Sequence, residues 1–151
     1  MRIGIFPGSF DPITKGHEDI IRRMIPLFDK IHVAIGNNGT KKYMFDLEER
    51  TKWIKDTFAN DPTIEVKTYE GLTVDFCREV NAKFIIRGLR NSNDFEYEKS
   101  IAQMNQMMYP DLETVLVYTR PEYASISSTI IRDIIKNSGD TTPFLPSGVQ
   151  L

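Results

Sequence analysis

The residues best suited to chemistry begin at Pro7-Gly8-Ser9-Phe10-Asp11-Pro12-Ile13-Thr14-Lys15-Gly16-His17, directly after the first apolar run. Gly8 and Gly16 allow a ligand close to the backbone, and His17 opens a helical pattern whose free N–H groups suit phosphate. Later come Gly36 to Lys42, with Lys41 and Lys42 on a glycine loop; Glu70-Gly71-Leu72-Thr73; and Arg87-Gly88-Leu89-Arg90, followed by Glu98. The last is Arg120-Pro121-Glu122-Tyr123-Ala124-Ser125-Ile126-Ser127-Ser128-Thr129. Lysine supplies a point charge, arginine a fork matched to phosphate oxygens, and a hydroxyl-rich helix start can hold an anion. Each loop alone is a weak signal, because turns are ordinarily rich in Gly, Ser and Asn. Together they point to anionic substrates.

Each of these residues also has a structural reading. Arg87 and Arg90 could pair with Glu96 or Glu98, and Ser127, Ser128 and Thr129 could simply cap the last helix. Lys42 reads as a solvated loop lysine, His32 as part of an alternating strand, and Cys77 as a packing residue. Ile101, Met104 and Met108 form a helical stripe for core or interface packing. Several chemistries fail on spacing. There is no G-x-G-x-x-G after the first strand, no G-x-x-x-x-G-K-[ST], and no nucleophile elbow. With two histidines and one cysteine in no ligand pattern, no protein-held metal is expected.

Five β-rich runs, Arg2–Phe6, Lys30–Ile35, Ile64–Thr68, Phe84–Arg87 and Thr114–Tyr118, alternate with helical patterns. The helices are predicted at about His17–Phe28, with Pro26 ending or kinking it, and at Asp46–Phe58, Thr73–Val80, Asn93–Tyr109 and Ser127–Lys136. Asp46 and Glu49 read as a capping box, and Gly139 as the last helix's stop. The prediction is an α/β fold: a Rossmann-like, doubly wound, five-stranded parallel sheet with helices on both faces. Ligands of such sheets bind beyond the strands' carboxyl ends, where the strand order reverses. Residues 1–151 read as one domain, and the stretch from Thr142 to Leu151 as a surface terminus without chemistry.

A formal charge of −2 gives no overall field for nucleic acid or an anionic membrane, so any anion site must come from local clustering. A single cysteine excludes an internal disulfide and suits a reducing compartment. The opening apolar run is too short for a signal peptide and no stretch reaches membrane-spanning length, so the expected address is the cytoplasm.

Ser9 to His17 resembles the T/H-x-G-H motif of the nucleotidyltransferase superfamily, and Ile126 to Arg132 resembles its second motif. Lys41-Lys42-Tyr43-Met44-Phe45-Asp46-Leu47-Glu48-Glu49-Arg50, Ile86 to Arg90, and Asp94-Phe95-Glu96-Tyr97-Glu98 are similar to one branch, the bacterial phosphopantetheine adenylyltransferases. The resemblance implies transfer of the adenylyl group of ATP to 4′-phosphopantetheine, giving 3′-dephospho-coenzyme A and pyrophosphate in coenzyme A biosynthesis. It gives His17 the role of transition-state stabiliser, with Lys41 and Arg90 also catalytic. ATP contacts would fall on Ser9, Phe10, His17, Gly88, Leu89, Arg90, Glu98 and the stretch Tyr123, Ala124, Ser125, Ile126, Ser127, Ser128, Thr129. Acceptor contacts would fall on Ser9, Lys41, Thr73 and Arg87. Magnesium would be held mainly through ATP phosphates, the usual assembly is a hexamer, and coenzyme A itself is an expected competitor. Ser9 stands where many relatives have Thr, which keeps the hydroxyl, and many relatives continue into a further helix beyond the position of Leu151. The alternatives are a related enzyme acting on nicotinamide mononucleotide or glycerol 3-phosphate, and a catalytically silent nucleotide sensor.

Overall fold

The computed structural model describes Met1 to Leu151. Its elements are β1 (Ile3–Gly8), α1 (Lys15–Met24), β2 (Lys30–Gly36), α2 (Leu47–Thr57), β3 (Ile64–Tyr69), α3 (Thr73–Glu79), β4 (Phe84–Leu89), α4 (Ser92–Met108), β5 (Glu113–Tyr118) and α5 (Ser128–Lys136). Short 3-10 turns lie at Ile25–Leu27, Pro121–Tyr123 and Thr142–Phe144. The strands form one parallel sheet in the order β3-β2-β1-β4-β5, so the winding reverses between β1 and β4. This is the doubly wound α/β architecture the alternation predicts.

The central strands are continuous apolar runs because both faces are covered. Phe6, Ile31, Val33, Ile35 and Ile86 pack with Ile20, Ile21 and Met24 of α1, Trp53 and Ile54 of α2, and Ile131 of α5. Alternate residues face the other way: Ile5, Ala34 and Ile85 meet Val74, Phe76 and Cys77 of α3. Each such buried Val, Ile, Phe or Met side chain contributes about 1.5–3 kcal/mol. His32 is buried next to the Phe76 ring, so it and Cys77 are packing residues.

The pairing of β1 with β4 is short. β1 pairs with β2 from Ile3 to Gly8, but with β4 only at Gly4 and Ile5. Beyond Ile5 the two strands part, and Pro7, which has no N–H for a ladder, sits where they do. The gap opens the carboxyl edge of the sheet at the reversal point.

Two sequence expectations are corrected, the start of α1 and the terminal stretch, and two are narrowed. α1 starts at Lys15, because Thr14 is its N-cap, and His17 is the third helical residue rather than the first. At the end of α5 the left-handed residue is Ser138 (φ 60°), and Gly139 follows it, donating to the Ile134 carbonyl in a Schellman-type closure. The terminal stretch is not wholly at the surface: Leu145 and Val149 join the main core. Finally, Met104 and Met108 are exposed, with Ile101 at the edge of exposure, so the α4 stripe is not part of this chain's core. No helix is long and apolar enough to cross a membrane.

Candidate active site

Two adjoining cavities, of about 320 and 270 Å³, lie at the opening between β1 and β4. They share a wall made of Pro7, Gly8, Arg87 and Glu98. The first is lined further by Gly16 and His17 of α1, Gly88, Arg90, Tyr123, Ile126, and Ser127, Ser128 and Thr129 at the start of α5. The second is lined by Ser9, Tyr69, Thr73 and, from α4, Ile101, Ala102 and Asn105. The two helix N-termini thus meet one cavity, where their N–H groups suit phosphate.

His17 is held in one orientation. The Thr14 hydroxyl accepts from the His17 N–H at 3.3 Å, while the Thr14 N–H donates to His17 Nδ1 at 3.0 Å. A histidine thus stands where a capping box usually has Glu or Gln. Because Nδ1 accepts, the proton of the neutral ring is on Nε2. The rings of Phe10 and Phe6 flank it edge-on, with centroids at 5.1 and 6.2 Å. Burial, with the charges of Arg87 and Arg90 adding to it, pushes the imidazole down to about 4. At neutral pH, His17 is an uncharged N–H donor.

Arg87 is the dividing post. Its Nε and Nη2 donate to Glu98 at 2.9 and 2.8 Å, and its Nη1 donates to the Pro7 carbonyl at 2.9 Å. That carbonyl belongs to the stretch of β1 that has left β4, so the guanidinium fills the gap between the strands. Arg87 and Glu98 therefore form the ion pair of the structural reading, and both line the two cavities. Glu98 lines both cavities, but its carboxylate is held by Arg87. Arg90 pairs with Asp94 at 3.4 Å.

The hydroxyls of α5 all have partners. Ser127 accepts from the Ile130 N–H, Ser128 donates to the Pro12 carbonyl at 2.8 Å, and Thr129 accepts from Arg132. Arg132 also donates to the Asp11 carbonyl at 2.8 Å. Ser128 and Arg132 thereby tie the start of α5 to the loop before α1, bringing the two sequence motifs together.

Lys41 places its ammonium 3.4 Å from the Ser9 hydroxyl, and the Thr73 hydroxyl meets the Tyr69 hydroxyl at 2.8 Å. Lys41 itself lines neither cavity, and four further expected contacts fall elsewhere. Phe10, at φ 50°, turns its ring into the core, where it is 2% exposed, leaving only its backbone for a ligand. Leu89 and Ala124 line neither cavity, and Ser125 lines a separate surface groove. Sequence reasoning included Thr14, Asp11 and Arg50 in its motifs without giving them roles, and missed Tyr69. Only Thr14 had a readable signal, its three-residue spacing to His17. No group of three or more His, Cys, Asp or Glu side chains is placed to hold a metal.

The profile of the family described as "Cytidylyltransferase-like" matches residues 5–134. A phosphopantetheine adenylyltransferase of Flavobacterium psychrophilum is 52% identical over 151 residues, spanning 100% of this chain and 99% of that protein. The protein of the same name from Cytophaga hutchinsonii is 54% identical, over 96% of this chain and 97% of its own. In fold, the chain is similar to a bifunctional NMN adenylyltransferase/ADP ribose pyrophosphatase of Francisella tularensis, with a TM-score of 0.74. That likeness covers 98% of this chain and 46% of the larger protein at 18% identity, and speaks to fold alone. With two anion-suited cavities joined at the strand reversal and near-complete alignment to these relatives, the chain belongs to the cytidylyltransferase-like nucleotidyltransferases and, among them, to the phosphopantetheine adenylyltransferase family.

Proposed function

We infer that this chain transfers the adenylyl group of ATP to 4′-phosphopantetheine, giving 3′-dephospho-coenzyme A and pyrophosphate, the penultimate step of coenzyme A synthesis. The observation that carries the reading is the shared wall: one cavity faces two helix N-termini and His17, its neighbour faces Ser9 and Thr73, and Arg87 stands between them. ATP occupies the first cavity, its phosphates across the starts of α1 and α5 and near Arg90. The acceptor's phosphate occupies the second, met by Ser9, Lys41, Thr73 and the free face of Arg87.

A phosphate monoester has a second pKa of about 6, so the acceptor is already largely dianionic at neutral pH and needs no protein base. One of its oxygens bonds to the α-phosphorus as the bond to the bridging oxygen breaks, and the electron pair leaves on pyrophosphate. The obstacle is bringing two anions together in line, which positioning and preset donors overcome. His17 directs its Nε2–H at the transferring group without adding a charge that would titrate near neutrality. Asp94 and Glu98, the acidic groups of the first cavity, are both engaged by arginines. That donor set fits a magnesium ion carried by phosphate oxygens rather than by protein ligands. When bound, the ion neutralises charge on the triphosphate.

Coenzyme A carries both halves of the product and competes with ATP on this reading. The exposed apolar stripe of α4 is the surface we assign to subunit contact in a hexamer, and the cytoplasm is the proposed location. Pyrophosphate release with ATP and magnesium tests the function, comparing 4′-phosphopantetheine, nicotinamide mononucleotide and glycerol 3-phosphate. Release with the first alone supports it, release with another acceptor replaces the substrate, and silence with all three leaves a nucleotide sensor.

A further inference from the structure

Between β2 and α2 the chain passes through residues 37–46 without helix or strand. This segment carries Lys41, and two buried charges fasten it. Asp11, 4% exposed, accepts the Met44 N–H at Oδ2 (2.8 Å) and the Phe45 N–H at Oδ1 (3.0 Å). Arg50, 1% exposed, reaches back from α2 and donates from Nε to the Phe45 carbonyl (3.0 Å) and from Nη1 to the Ser9 carbonyl (2.8 Å). Its guanidinium lies over the Tyr43 ring, 4.1 Å from the centroid, and the Tyr43 hydroxyl accepts the Asn38 N–H at 3.0 Å.

Burying a carboxylate and a guanidinium is costly, and apolar side chains of like size would serve stability as well or better. Here both charges tie together the same two segments, residues 9–11 and 43–45: Asp11 reaches from the first to backbone N–H groups of the second, and Arg50 bonds a carbonyl of each. The result is geometric: the Lys41 ammonium is held 3.4 Å from the hydroxyl of Ser9, which lines the second cavity. We propose that Asp11 and Arg50 are positioning residues for the transfer, locking the Lys41 segment onto the strand exit that carries Ser9 so that the two groups meet the incoming phosphate as a preset pair. The inference rests on the reading that Lys41 and Ser9 contact the acceptor. Misplacement of such a group by about 1 Å is enough to cost about 10²-fold in rate.

The test is steady-state kinetics with ATP and 4′-phosphopantetheine on Asp11→Asn and Arg50→Lys, each made with Lys41 present and with Lys41→Ala. Asparagine retains one acceptor oxygen and turns a donor toward the second N–H, while lysine cannot span two carbonyls at once. The expected result is a fall of about 10- to 100-fold in kcat/KM for the acceptor, with the KM for ATP within about twofold. In the Lys41→Ala background the same substitutions should have almost no further effect. Equal losses in both backgrounds, or losses falling equally on ATP, would overturn the proposal. If Lys41→Ala is itself harmless, the reading of Lys41 fails and the inference with it. If Lys41→Ala is crippling while both positioning variants are normal, the inference alone fails. Should a variant not fold, amide exchange in the unaltered protein decides. Met44 and Phe45 N–H exchanging about 100-fold more slowly than Gly39 supports the clamp, and equal rates refute it.

Discussion

Arg87 and Glu98 face each other across the wall between the two cavities through two parallel hydrogen bonds, Nε to Oε2 at 2.9 Å and Nη2 to Oε1 at 2.8 Å. The carboxylate is 7% exposed and the guanidinium side chain 34%, so the pair is anchored on the Glu98 side and accessible on the Arg87 side. A forked bond to Glu98 fixes the guanidinium plane before any ligand arrives.

Arg87→Met should therefore act twice. It strands a buried carboxylate, which costs about 2 kcal/mol in urea unfolding, below the range for a fully buried pair because water reaches Arg87. It also removes the fork shared by both cavities, so the acceptor's KM should rise about tenfold or more in initial-rate assays while that for ATP moves less. A change in ATP affinity alone would assign Arg87 to the nucleotide instead.

His17 gives a prediction with a sign. His17→Ala removes one preset donor and should lower kcat by about 10²–10³ with little change in either KM. With the folded imidazole at about 4 and an unfolded value near 6.5, the unfolded chain binds the extra proton between those pH values. The neutral ring's contribution to stability is thus complete above about pH 6.5 and is lost as pH falls toward 4. Thermal unfolding across this window should show the unaltered protein losing stability faster than His17→Ala as pH falls. Buried His32 is also pushed down by desolvation, but it is common to both proteins and cancels. Parallel curves would contradict the desolvated, neutral imidazole.

Gly88 stands in close approach to a core side chain. A Cβ there would lie 2.4 Å from Ile20 Cδ1 on α1, the helix that carries His17. Gly88→Ala should cost about 1–3 kcal/mol in chemical unfolding, with a fall in kcat as α1 is displaced. Ile20→Val deletes the clashing methyl, so the double variant should recover most of both losses, and strictly additive costs would refute the contact.

How far such features were legible depended on whether the signal was local. The central strands were readable because both sheet faces are covered and their runs stay mostly apolar, as from Ile31 to Ile35, while edge strand β3 was readable from its alternation of Ile64 and Val66 with Glu65 and Lys67. Helix bounds came within about two residues where caps such as Asp46 announce themselves, but α1 ends at Met24, four residues short of the expected Phe28, where the turn containing Pro26 takes over. Other features needed three-dimensional partners. Nothing near Phe10 signals its positive φ, and Arg50 lies in an otherwise charged helical stretch where exposure is the ordinary outcome. The pairing of Arg87 with Glu98 crosses a strand-to-helix turn, so the sequence placed both in one neighbourhood without settling that they bind each other. The anion-suited loops were found because glycine, lysine, arginine and hydroxyls cluster at strand exits. Their division into two cavities was not, since it follows from where β1 and β4 stop pairing.

The residues after α5 show the same limit and yield the last prediction. Two prolines, Pro143 and Pro146, break any helical or alternating period, so the stretch reads as an irregular surface end. Yet Leu145 is 3% exposed and Val149 8%, both within the core that holds Ile131 of α5 and Ile20 of α1. The Val149 N–H closes on the Pro146 carbonyl at 3.0 Å, turning the second side chain back inward. Leu145→Ala should therefore cost about 2–5 kcal/mol, as for a buried leucine elsewhere, while exposed Gln150→Ala should stay within about 0.5 kcal/mol. Because the same core supports the helix that presents Ser127 to Thr129, the loss should also raise the KM for ATP at temperatures where the protein remains folded. Urea unfolding and ATP titration of the two variants check this. If Leu145→Ala proves as mild as Gln150→Ala, the terminal stretch is a surface appendage after all.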